Sequence, residues 1–62
     1  MSSNLSAEAK AAYQKYLDAE TLDEKIEKLE KFISLIPKHK ATEKIVALNK
    51  SRLAKLKREK EE

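Results

Sequence analysis

The chain has 62 residues, no cysteine, no glycine and one proline, and 40% of its residues are charged. So short a chain forms at most one domain and buries a small share of its surface, which makes a partner or self-association a natural source of added stability. The missing cysteine excludes disulfides and thiolate metal sites, and the missing glycine excludes phosphate-cradling loops, dinucleotide fingerprints and nucleophile elbows.

The longest apolar runs, Leu35-Ile36-Pro37 and Ile45-Val46-Ala47-Leu48, fall far short of the roughly 20 residues a bilayer span needs, so no membrane association is expected. Met1–Leu5 lacks the basic and apolar regions of a secretory signal, and with the absent cysteine this points to the cytoplasm. Net charge is +3 but unevenly spread. Residues 1–37 carry five lysines against seven acids, whereas residues 38–60 carry nine Lys/Arg against two acids.

Abundant Lys and Glu without glycine suits solvated helices, and the fold expected is all-α: a three-helix mini-domain built on an antiparallel helical hairpin. Residues 1–5 are expected to be a flexible N-terminus, 6–60 the single helical module and 61–62 a frayed end. The first helix is placed at about 6–19, with Ser6 as N-cap and Glu8 favouring the dipole in the first turn. Its apolar stripe comprises Leu5, Ala9, Ala12, Tyr13, Tyr16 and Leu17. Tyr13 and Tyr16 lie on that stripe and read as core aromatics rather than base-stacking ones.

Thr21-Leu22-Asp23-Glu24 has capping-box spacing and starts the second helix, about 22–36. Leu22, Ile26, Leu29, Ile33 and Ile36 recur at steps of four and three and form one stripe, which ends at Pro37 because a proline disfavours helical geometry in the residue before it. Glu24–Lys28 and Glu27–Lys31 are spaced for stabilising pairs along this helix. Phe32 and Leu35 fall off the stripe; together with Leu48 they either meet another helix or form a patch for a protein partner.

Pro37-Lys38-His39-Lys40 reads as a tight turn into a third helix, about 42–60, whose apolar face gathers Ile45, Val46, Asn49, Leu53 and Leu56. Asn49 is the one polar residue on that face. Lys44, Ser51, Lys55 and Arg58 line the opposite side, flanked by Lys50 and Lys57. With Lys38, His39 and Lys40 they predict a positive surface that contacts ribosomal or other structured RNA through phosphates, without DNA sequence readout.

Catalysis is not expected. His39 is the single imidazole and cannot build a metal site alone, and acid pairs such as Asp23/Glu24 and Glu27/Glu30 fall on the solvated side of a lysine-rich helix. No cofactor is implied.

The run Ile33-Ser34-Leu35-Ile36-Pro37-Lys38-His39-Lys40-Ala41-Thr42-Glu43-Lys44, followed by Arg52-Leu53-Ala54-Lys55-Leu56-Lys57, resembles the N-terminal helical hairpin of developmentally regulated GTP-binding proteins in the Obg-like family. The resemblance spans roughly residues 26–59. It implies a helical appendage of a ribosome- and translation-associated GTPase, as a fragment or a stand-alone relative. GTP hydrolysis is not assigned to this chain, which lacks the nucleotide-binding motifs. Tyr13, Tyr16, Asp23-Glu24-Lys25-Ile26, Leu29 and Leu35-Ile36-Pro37 are also similar to one tetratricopeptide-type helical pair. That alternative implies a protein–protein interaction module or a self-associating hairpin.

Overall fold

In a computed structural model, which describes residues 5–61, the chain folds into three α-helices: α1 (Ala7–Asp18), α2 (Leu22–Leu35) and α3 (Glu43–Glu61). A 3-10 turn, Lys40–Thr42, leads into α3. The domain is all-α, and the starts of α1 and α2 are each set by a local side-chain cap. Ser6 Oγ accepts the Ala9 amide at 3.1 Å and so satisfies a donor that has no partner inside α1.

At α2, Thr21 Oγ1 accepts the Glu24 amide at 3.2 Å. The Glu24 carboxylate reaches back to the Glu20 amide at 3.3 Å, one residue ahead of the capping Thr21. Among the described residues neither Glu24–Lys28 nor Glu27–Lys31 forms; the two ion pairs present both link α2 to α3.

The core is built around α2. Leu29 is fully buried, Phe32, Ile33 and Ile36 nearly so, and Ala9 and Ala12 of α1 close over them. Alanine at both positions lets α1 approach α2 closely, and its small side chains leave room for Phe32. The Phe32 ring meets Tyr13 at 4.8 Å between centroids, and Tyr13 meets Tyr16 at 5.6 Å, both tilted. Phe32 is therefore core and not a partner patch: α2 is the central helix, so its buried arc extends past the five-residue stripe to include the neighbouring column. Leu35 is half-buried against the same cluster.

Leu5 is half-buried against the core; residues 1–4 of the expected flexible N-terminus, and Glu62 at the other end, lie outside the described residues. Leu17 leaves the α1 stripe and is 56% exposed, because it sits at the edge of the face that α2 covers.

α3 is held differently. It packs on α2, while the backbones of α1 and α3 stay more than 8 Å apart between Cα atoms. With one neighbour instead of two, its Ile45, Val46, Leu53 and Leu56 are only half-buried, and the one buried α3 side chain is Asn49. Lys57 and Lys60 reach Glu30 and Asp23, so the last turns of α3 lie alongside the stretch of α2 from Asp23 to Glu30.

Candidate nucleic-acid interface

Pro37 ends α2, and the chain between the two helices is tied by Thr42, whose side chain is fully buried. Its hydroxyl lies against the carbonyls of Pro37 and His39 and accepts the His39 amide at 3.3 Å. His39 Nδ1 in turn accepts the Ala41 amide at 3.2 Å, which leaves the ring proton on Nε2, facing outward. His39 is thus an exposed loop residue as expected, and it also acts as the cap of the 3-10 turn.

This tight connection places Lys38, His39 and Lys40 around a concavity of about 400 Å³ at the start of α3. Lys50, two turns into α3, completes the ring, Val46 and Ala47 supply an apolar wall, and Glu43 is the single carboxylate on the rim. Lys44, Lys55 and Arg58 are exposed on the outer side of α3, and none of them forms an ion pair among the described residues. The same holds for Lys38, Lys40 and Lys50.

Lys57 departs from this group. Its ammonium lies 3.1 Å from Glu30, because the helical turn carries position 57 to the edge of α3 that faces α2. Lys60 behaves alike, 2.7 Å from Asp23. The hydrogen bond to Asp23, then the carboxylate's charge, raises Lys60 above the ordinary lysine value. The acids Asp23 and Glu30 are thus partners for lysines of α3.

Of the candidate partner patch, Leu48 alone is open, at 53% exposure. It stands beside a groove of about 320 Å³ between α1 and α3, with Phe32 at its floor and Tyr13, Ile45 and Asn49 on its walls. Sequence reasoning did not find this groove, although the polar Asn49 in an apolar face was its one visible sign. A third surface concavity, between α1 and α2, mixes Glu8 and Glu27 with Lys15, Lys28 and Lys31, so that its charges largely offset one another. No cluster of three or more His, Cys, Asp or Glu side chains suited to a metal ion occurs among the described residues, and no described helix is long and apolar enough to cross a membrane.

Comparison with protein-family models, with curated proteins and with solved structures finds no match to the chain.

Proposed function

We propose that the chain is a non-enzymatic helical module that docks on the phosphate backbone of structured RNA, ribosomal RNA above all, through the turn and the outer side of α3. The observation that carries this reading is the open concavity at the start of α3, bordered by three lysines, an imidazole and one carboxylate. A convex array of lysines is merely solvated, whereas a concave one surrounds a phosphate and adds the partial positive charge of a helix N-terminus. Lys44, Lys55 and Arg58 extend the contact along the helix. The resemblance of residues 26–59 to the hairpin of translation-associated GTPases supports the same assignment and, with it, a place in the cytoplasm.

The test is binding of the intact chain to a labelled RNA hairpin, followed by fluorescence anisotropy across a salt series. Each phosphate neutralised steepens the log–log salt dependence by roughly 0.7–0.9. Lys38→Glu with Lys40→Glu is expected to flatten that slope and weaken binding. Lys57→Gln, already engaged with Glu30, is expected to change it little. Association that ignores salt, or that survives the double reversal, refutes the reading.

A further inference from the structure

We propose that the groove between α1 and α3 is a docking site for an amphipathic helix of a partner protein, one that carries acidic residues on both sides of its apolar face. The groove goes beyond the RNA-facing surface: it uses different residues, apart from the turn and from Lys44, Lys55 and Arg58.

Three observations converge on it. The first is geometric. α1 and α3 both pack on α2, and their backbones stay more than 8 Å apart between Cα atoms, which leaves a groove above Phe32 that a fourth helix would cover. Side chains that a fourth helix would cover are only half covered now: Tyr13 and Ile45 are half-buried and Leu48 is 53% exposed. A volume of about 320 Å³ accepts the anchoring side chains of one helix face rather than a whole helix, which is how helix-in-groove recognition works.

The second is polar. Asn49 is 4% exposed and lines the groove, its Nδ2 donates to the Ile45 carbonyl at 2.8 Å, and its Oδ1 is a buried acceptor without a partner among the described residues. Exchanging the two amide atoms would set oxygen against the Ile45 oxygen, so the orientation is settled by that bond. A buried acceptor left unsatisfied is unfavourable, and a donor supplied by an incoming segment would relieve it.

The third is charge. Lys10 on α1 and Arg52 on α3 stand on the rim, and neither forms an ion pair among the described residues. Arg52 makes only a long contact, 3.4 Å, with the Tyr13 hydroxyl. Cations on both banks select carboxylates on both flanks of the occupant. They also argue against a second copy of this chain, since a two-fold contact sets the same patch against itself and would face Lys10 and Arg52 with like charges.

A phage-displayed random peptide library panned against the intact chain tests the proposal. The expected result is enrichment of peptides with apolar residues at helical spacing flanked by Asp or Glu. Their binding should weaken by about tenfold or more on Leu48→Asp and on Arg52→Glu, each an exposed position whose change leaves the core intact. Lys38→Glu with Lys40→Glu should leave their binding nearly unchanged, which separates this site from the RNA-facing one. No enrichment, enriched peptides without acids, or binding that follows Lys38 and Lys40 instead of Leu48 would overturn it. So would a concentration-dependent dimer in sedimentation that Leu48→Asp abolishes, which would assign the groove to a second copy.

Discussion

Replacing Asn49 with leucine should stabilise the chain, and the size of the gain follows from what surrounds the side chain. Asn49 is nearly fully buried with one unpartnered acceptor, a defect that costs about 1–3 kcal/mol. The bond it does make is dispensable, because the Ile45 carbonyl that accepts Nδ2 lies four residues earlier in the same helix and also receives the Asn49 backbone amide. Leucine is the bulkier side chain, and overpacking a sealed core would cancel the gain, but the adjoining groove of about 320 Å³ gives it room. The expected net gain is about 1–3 kcal/mol, and each kcal/mol corresponds to roughly 4–8 °C in Tm for a domain of this size. Thermal unfolding followed by circular dichroism, with urea unfolding alongside, measures it. A variant less stable than the parent would show that Oδ1 has a partner in solution and that the groove is not open. Because the same substitution removes the acceptor from the groove, a stabilised Asn49→Leu chain should also bind the selected acidic peptides less well, a trade of function for stability.

Other outcomes follow from the fold. Phe32→Ala should cost about 3–5 kcal/mol, a large share of what a chain of this length has at roughly 0.05–0.15 kcal/mol per residue, whereas Leu48→Ala should stay within about 0.5 kcal/mol; urea midpoints distinguish core from surface at the two positions. Thr42→Val keeps the buried volume but orphans the His39 amide and removes the tie to Pro37, an expected loss of about 1–3 kcal/mol in urea unfolding, with accelerated hydrogen exchange at residues 39–42. Lys60 is held above its ordinary value by Asp23, so the pair's contribution is complete below the ordinary lysine range and fades as pH rises through the raised value; Asp23→Asn should abolish that alkaline component of the urea midpoint.

The parts of this structure that were legible in the sequence are those decided within one or two helical turns. The five-residue stripe of α2, the Ser6 and Thr21 caps and the stop at Pro37 are each written in neighbouring residues, and each helix boundary lies within a residue or two of its expected place. What was not legible depends on how helices sit against one another. Phe32 looked like a stray aromatic because its burial needs α1 on one side of α2 and α3 on another. Lys57 looked like part of a cationic row because Glu30, the residue that engages it, is distant in sequence. His39 hid its capping role because imidazole is an uncommon N-cap, and only the geometry of the turn brings Nδ1 to the Ala41 amide.

The same interhelical arrangement explains why the positive charge survives folding. Seven acids in residues 1–37 are ample to neutralise the lysines of α3 if they can reach them. They reach only the edge of α3 that faces α2, where Glu30 and Asp23 take Lys57 and Lys60. α1, with Glu8 and Asp18, is held away from α3, and the outer side of α3 faces no other helix. Exposed pairs of this kind contribute little to stability, so their main effect is on which edge of α3 meets α2 rather than on how tightly it is held. An α3 rotated the other way about its axis would present Lys44, Lys55 and Arg58 to α2 and bury charge where Ile45, Val46, Leu53 and Leu56 now pack. The apolar face and the two ion pairs therefore act together to turn the unpaired cations outward. A chain in which Glu30 and Asp23 are both replaced by lysine tests this: it should fold with α3 less sharply fixed in its rotation on α2, and its RNA binding should lose dependence on Lys38 and Lys40 as the added charge spreads the contact around the helix pair.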